Sequence, residues 1–453
     1  MCDNMKNMPA GPSGLDPAFI DNMRALLGGE TEAFLQALEK APALSLRINP
    51  LRALSGAAAA RYSGDRVPWE ENGRYIIPGA RPGASAAHFS GAFYIQEASA
   101  MLPAAILDAR PGEKILDLCA APGGKSSQIA AGLMGEGILV ANEPDLKRAK
   151  MLAGNLERLG VKNALVVSEY PPKLAEKWPE FFDAIMVDAP CSGEGMFRRE
   201  PDSRAQWQPG SPAGCAQRQL DILDRAAQLL APGGRMVYST CTFNSLEDEG
   251  VVEKFLAAHP EFSLRAFRAG GLGDCPGGMV KIWPHRQRGD GQFAALLAKA
   301  EDADAGTGKK RRAQAVRPRT DAAPALYQRF IGEFASPGDI FRPQLLGDTL
   351  YAVPDLAPDT MGLRVISPGL ALARALKGRF EPAHQLAMAL DGLPAAELDG
   401  DAALAFARGE EVPWGGRGWL TARYAGMPLG WGKASGGVLK NHLPKGLRRN
   451  LEL

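Results

Sequence analysis

The chain reads as an α/β protein built on a Rossmann-like, doubly wound parallel sheet. Three observations predict this. From Glu113 onward, short apolar runs alternate with helical stretches. The first run ends in a glycine turn, Cys119-Ala120-Ala121-Pro122-Gly123-Gly124-Lys125. The second closes on an acid, Glu143, about 20 residues after the glycines, where doubly wound sheets meet ribose hydroxyls.

The elements follow in order. Phe19, Met23, Leu26 and Leu27, then Phe34, Leu35 and Leu38, recur at helical spacing within residues 15–50. Residues 46–50 read as a short strand. Residues 53–93, rich in Ala, Gly and Pro, read as small strands and loops on the main domain. Residues 114–118 form a strand, 126–134 a helix, 138–141 a strand, 145–159 a helix and 164–167 a strand. Residues 184–187 and 235–238 are two more strands, separated by a helix over 215–230, and 293–297 supplies the last. Residues 301–325 are charged without apolar periodicity and mark a linker. Beyond them the chain is long enough for a separate domain, with strands at 350–353 and 363–366. The expected division is a small N-terminal domain (1–100), a central domain (101–300), the linker and a C-terminal domain (326–453).

Bulk properties exclude several classes. A chain of 453 residues exceeds one ordinary core. No apolar run is long enough to span a bilayer, and Met1-Cys2-Asp3-Asn4 does not open a secretory signal. Six cysteines in a chain this long make no disulfide framework, and no paired Cys/His metal spacing is present. Free thiols point to a reducing, cytoplasmic setting. The net charge of +1 excludes a basic nucleic-acid coat, but the basic residues cluster. Lys309 to Arg312 is one run. From Lys433 to Arg449 there are five basic residues and no acid. Lys433, Lys440, His442, Lys445 and Arg448 are therefore candidates for phosphate contacts, with Trp431 beside them as a stacking surface and Trp414 and Trp419 read as core.

Gly123 and Gly124 let backbone approach a ligand, and the following helix offers free N–H groups. A P-loop requires glycine where Cys119 stands, and no Gly-x-Gly-x-x-Gly is present. The turn and Glu143 fit S-adenosylmethionine, which needs no diphosphate cradle.

Two thiol strings lie downstream, Asp188-Ala189-Pro190-Cys191 and Ser239-Thr240-Cys241-Thr242. Each follows an apolar run. If those runs are neighbouring parallel strands, both thiols emerge at one sheet edge beside the nucleotide pocket. Two thiols and an acid suit methyl transfer to carbon 5 of a pyrimidine, which becomes nucleophilic only after a thiolate adds to carbon 6. An unassisted thiol is only a few per cent ionised near pH 7, so the site must help ionise it. A single buried Cys is more simply a core hydrophobe, the reading given to Cys2, Cys215 and Cys275.

On these strings the chain closely resembles the bacterial RNA 5-methylcytosine methyltransferases of the Sun/Nop superfamily, of the ribosomal RNA methyltransferase F (RsmF) type. Further matching strings are residues 94–101, 116–125, 188–199, 238–243 with Glu247-Asp248-Glu249, 430–433 and 440–442. The resemblance implies an S-adenosylmethionine methyltransferase core, the family's own N-terminal domain and a C-terminal PUA-like RNA-binding domain. It implies Cys241 as nucleophile, Cys191 in product release, Asp188 at cytosine nitrogen 3 and Lys125 near the reaction centre. Cys119, Ala120, Ala121, Pro122, Gly123, Gly124, Lys125, Glu143 and Asp188 would line the cofactor, with Arg148 as a further contact. Relatives often carry Asp after the third strand to hold adenine. Ser168-Glu169-Tyr170 stands there, so Glu169 is its substitute. The implied partner is 16S rRNA or the small ribosomal subunit, met by a monomer. A transfer-RNA enzyme, a DNA enzyme using only the Pro-Cys thiol, and a non-catalytic ribosome-assembly factor are the alternatives.

Overall fold

In the computed structural model, residues 14–301, 332, 343–377 and 379–453 are described. The basic run at 309–312, Cys2 and the linker beyond residue 301 lie outside them. Asp16 caps the first helix, Pro17–Leu27, by accepting from Ala18 N at 2.8 Å, and Gly28 ends it. Phe19 and Met23 are its buried stripe. The helix Thr31–Leu38 buries Phe34, Leu35 and Leu38. Strands β1 (Ser45–Ile48), β2 (Ser63–Arg66), β3 (Gly73–Ile76) and β4 (Phe93–Ile95) then form an antiparallel sheet in the order β2-β3-β1-β4.

The central sheet begins with β5 (Lys114–Asp117), β6 (Ile138–Asn142), β7 (Ala164–Val167), β8 (Phe182–Asp188) and β9 (Leu230–Thr240). These five are parallel, in the order β9-β8-β5-β6-β7. Apolar side chains alternate between two clusters, one on each face. Leu139 and Val166 lie in one, Val140 and Leu165 in the other. The helices Gly124–Leu133, Leu146–Arg158 and Ser211–Leu229 connect these strands. Beyond β9 come the helix Glu249–Ala258, β10 (Phe262–Leu264), the short pair β11 (Phe267–Arg268) and β12 (Asp274–Cys275), β13 (Met279–Ile282) and β14 (Gln292–Lys299). Strand β14 runs antiparallel to β9 and pairs with β10 and β13 on its other edge.

The C-terminal part holds two sheets where the sequence reading treats the span as one domain. Strands β15 (Pro343–Leu346), β16 (Thr349–Ala352), β18 (Leu370–Leu376) and β19 (Arg379–Pro382) form one. Strands β20 (Ala395–Glu397), β21 (Val412–Pro413), β22 (Gly418–Tyr424), β23 (Met427–Ser435) and β24 (Val438–Asn441) form the other. The remaining strand, β17 (Val365–Ser367), leaves both and pairs with β7 of the central sheet. Its apolar residues therefore serve the central core.

The imidazole of His384 is held in this C-terminal part with an unpartnered Nδ1, and burial lowers its pKa to about 4. Between pH 6.5 and 4 the unfolded chain binds this proton and the folded chain does not, so stability falls as pH falls through that window. We expect His384→Gln to flatten the pH dependence of Tm between those values. The wild-type loss from this group is at most about 3 kcal/mol. Parallel Tm–pH curves for the two proteins would contradict it.

Candidate active site

Parallel pairing of β8 with β9 sets Asp188 opposite Ser239, so the two thiol strings leave the sheet side by side. Cys191 Sγ and Cys241 Sγ lie 3.3 Å apart, each half-buried. The neighbouring Cys241, and then burial, push the Cys191 thiol well above its ordinary range. Asp188 meets three donors. Its Oδ2 accepts from Lys125 Nζ at 2.8 Å, and its Oδ1 from Ser239 Oγ at 2.8 Å and Gln292 Nε2 at 3.3 Å. Burial works against the Lys125 ammonium, but Asp188 outweighs it and raises its pKa.

Around the turn, Asp117 ends β5 with no solvent exposure. Its Oδ2 accepts from Ser126 Oγ at 2.6 Å, its Oδ1 has no side-chain or backbone partner, and burial pushes it up to about 7. Sequence reasoning passed over this residue. Its signal was an acid at the end of the first strand of the glycine-turn motif. Glu143 is buried, and its Oε2 pairs with Arg148 Nη1 at 3.2 Å. Arg148 Nη2 also donates to Ala121 O at 3.0 Å, so it ties the turn to the acid. Cys119 lies among Asp117, Asp188 and Glu143; burial first, then these charges, raise its thiol. Asn142 joins the ends of β6 and β7 by bonding both the N–H and the C=O of Glu169. The Glu169 carboxylate is turned to Lys173 Nζ at 2.8 Å and Arg364 N at 2.7 Å.

One expectation changes its physical meaning. A Cβ on Gly124 would come within 3.3 Å of Tyr94 and 3.2 Å of Gln96. This glycine makes room for the N-terminal domain. Buried Arg47 of β1 completes that contact, donating to Gly124 O at 2.8 Å and Ser127 Oγ at 2.7 Å. The N-terminal helices back the thiol strings in the same way. Phe34 meets Phe243 edge-on at 5.0 Å, Phe243 stacks on Trp283 at 5.2 Å, and Phe19 meets Phe197 at 5.1 Å.

The C-terminal basic residues are partly gathered. Lys433 pairs with Lys440 across β23 and β24 and with Trp419 across β22 and β23, so all three share a face. The Lys433 ammonium lies 5.1 Å from the Trp419 ring, and His442 meets that ring at 4.4 Å. Lys445 and Arg448 are exposed beyond them, with Arg448 Nε bonded to Leu443 O. Trp431 reverses its expected place. It is 1% exposed, in the core under the helix His384–Ala389, whereas Trp419, read as core, is half-exposed beside the lysines.

Among the described residues no helix is long and apolar enough to cross a membrane. Family profiles match nearly all of the chain. The profile of 16S rRNA methyltransferase RsmB/F covers residues 104–298, and that of the N-terminal domain of 16S rRNA methyltransferase RsmF covers 15–98. The RsmF rRNA methyltransferase first C-terminal domain matches 329–390, and the methyltransferase RsmF PUA domain matches 394–449. The ribosomal RNA small subunit methyltransferase F of Vibrio campbellii is 33% identical, over 96% of this chain and 98% of that protein. The protein of the same description from Serratia proteamaculans is 38% identical over 63% of each chain. A crystal structure of a methyltransferase homolog protein from Pyrococcus horikoshii matches with a TM-score of 0.55 and 28% identity, covering 64% of this chain and 100% of that one. The parallel sheet with its glycine turn, the flanking N-terminal domain and the C-terminal PUA module thus come together in one assignment: the chain belongs to the RsmF-type 16S rRNA methyltransferases of the RsmB/F family.

Proposed function

We propose that the protein methylates carbon 5 of a cytidine in 16S rRNA, with S-adenosylmethionine as methyl donor and a covalent adduct on Cys241. The observation that carries this reading is the 3.3 Å contact between Cys191 and Cys241 beside the Lys125–Asp188 pair. Two thiols in contact at a ligand-binding sheet edge suit a reaction that must both make and break a bond to carbon 6.

The residues around the turn fit the donor. Asp117, Glu143 and Asp188 give the cradle an acidic character that favours a cation, and Asp117 offers an unpartnered buried oxygen. Lys125, bound to Asp188, is not free to take phosphates as a P-loop lysine would. Glu143 would hold the ribose and Asp117 the cationic end. When bound, S-adenosylmethionine supplies an electrophilic methyl group.

The chain's residues then act in order. The target base leaves its stack, at a cost of a few kcal/mol. Cys241 releases its proton to solvent and the thiolate adds to carbon 6, opening the 5,6 double bond, while Asp188 passes a proton drawn from Lys125 to nitrogen 3. Carbon 5 can now take the methyl group, and the nitrogen 3 proton returns to the Lys125–Asp188 pair. Cys191 holds its proton while Cys241 is anionic beside it; adduct formation removes that charge and lets the proton go to solvent. As a thiolate, Cys191 takes the proton from carbon 5, the carbon 6–sulfur bond breaks and the double bond re-forms. The exposed row of Trp419, Lys433, Lys440 and His442 supplies a cationic face for RNA backbone. A reducing cytoplasm keeps both thiols free.

Bisulfite mapping of 16S rRNA from cells with and without the gene tests the assignment. We expect one or more protected cytidines to be lost with the gene. An unchanged 16S map with a lost site in transfer RNA would move the substrate. Glu143→Gln tests the cofactor cradle. Removing a charged acceptor costs about 1.5–3 kcal/mol, so the Kd for S-adenosylmethionine should rise roughly ten- to hundredfold in calorimetry. An unchanged Kd would remove Glu143 from the site.

A further inference from the structure

Each thiol loop is followed by a buried carboxylate that serves the other loop. Glu194, three residues after Cys191, accepts from Phe243 N at 2.9 Å and Asn244 N at 3.1 Å, both on the Cys241 loop. Glu247, six residues after Cys241, accepts from Ser192 N at 2.9 Å on the Cys191 loop and from Gln219 Nε2 at 2.8 Å. Asn244 stands between them, its Nδ2 lying 3.1 Å from Glu194 Oε1 and 2.9 Å from Glu247 Oε1. Ser192 Oγ and Thr242 Oγ1, the hydroxyls next to the two cysteines, meet at 2.9 Å. Gly195 closes the seam. Its N–H donates to Cys241 O at 2.8 Å, and a Cβ there would come within 2.8 Å of that oxygen.

Both carboxylates have no solvent exposure. Among the described residues neither has a cation within ion-pairing distance; neutral amide, N–H and hydroxyl donors satisfy them. Taking an unpaired carboxylate out of water costs several kcal/mol, and an apolar contact would hold two loops together at less cost. Carboxylates instead fix direction, because they accept at defined angles from groups one to three residues along the chain from a thiol.

We infer that Glu194, Asn244 and Glu247 are positioning residues that bracket the two loops and keep the Cys191 and Cys241 sulfurs in contact through the catalytic cycle. The inference rests on the two-thiol reading above. It adds that release depends on the bracket more than attack does. Attack needs Cys241 alone against the base, whereas release needs Cys191 held against an adduct already on Cys241.

The test is Glu247→Gln, assayed with full-length enzyme, small-subunit RNA and S-adenosylmethionine. The new amide places a donor where a donor already points, so the bracket loosens while volume is kept. A misplacement of about 1 Å costs on the order of a hundredfold in rate. We expect kcat to fall roughly ten- to hundredfold with KM for RNA little changed. We also expect an enzyme–RNA conjugate, stable on a denaturing gel, to build up during turnover as in Cys191→Ala. General structural damage lowers rate without that build-up. Ser192→Ala removes the hydroxyl pair and the 3.4 Å bond that Ser192 Oγ accepts from Asn244 Nδ2; it decides the matter if Glu247→Gln does not fold, with a smaller increase of the same conjugate expected. A folded variant that turns over like wild type, or loses activity with no conjugate, overturns the bracket. If Cys191→Ala accumulates conjugate in the same experiment, the two-thiol reading survives that failure. If it does not, the two-thiol reading fails too.

Discussion

Cys241→Ala is expected to abolish methyl transfer while leaving the protein folded and its affinity for S-adenosylmethionine unchanged. Nothing else in the site can take over. Cys191 lies 3.3 Å away, its thiol raised by the neighbouring Cys241 and then by burial, and the burial remains when Cys241 is replaced. Asp188 is bound to Lys125, Ser239 and Gln292 and points no nucleophile at carbon 6. Without a thiolate on carbon 6, carbon 5 stays unreactive, so the loss should be on the order of a thousandfold or more, about 4 kcal/mol in barrier height. Cofactor binding should not follow, because the Asp117, Glu143 and Arg148 contacts belong to β5, β6 and the following helix. Labelled-methyl transfer and calorimetry on one preparation check both halves. Residual turnover within tenfold of wild type would assign the attack elsewhere.

Cys191→Ala should behave differently. Attack and methyl transfer need only Cys241, so the first turnover should proceed, but no group remains to take the carbon 5 proton. The enzyme should stop after roughly one methyl per molecule, joined to RNA. Multiple turnovers by this variant would remove Cys191 from release and leave the 3.3 Å contact without a role in the reaction.

Much of this site was legible in the sequence because it lies at strand ends. An apolar run followed by Asp-Ala-Pro-Cys, and another followed by Ser-Thr-Cys, state where a parallel sheet stops, and pairing of β8 with β9 does the rest. The glycine turn and Glu143 were legible for the same reason. What escaped were the side-chain bonds and packing contacts between segments far apart in sequence. Glu194 and Glu247 could be quoted only as parts of matching strings, and Asn244 fell outside those strings. Their meaning lies in bonds spanning about 50 residues, such as Ser192 N to Glu247. Gly124 was legible as a turn glycine, but the Tyr94 and Gln96 side chains that fill the space beside it were not. Trp419 and Trp431 exchanged places because both project from the same face of adjacent strands. Only the helix His384–Ala389, which covers one and not the other, separates core from surface. Strand β17 was read correctly as a strand, but nothing local says that its partner is β7.

A small-subunit RNA carrying 5-fluorocytosine at the target position tests the central claim most directly, because fluorine at carbon 5 cannot leave as a proton and the adduct is caught. Denaturing electrophoresis followed by peptide mass mapping should find RNA attached to Cys241 in the wild type and in Cys191→Ala, and no conjugate in Cys241→Ala. Attachment to Cys191, or a conjugate that survives in Cys241→Ala, would contradict the account.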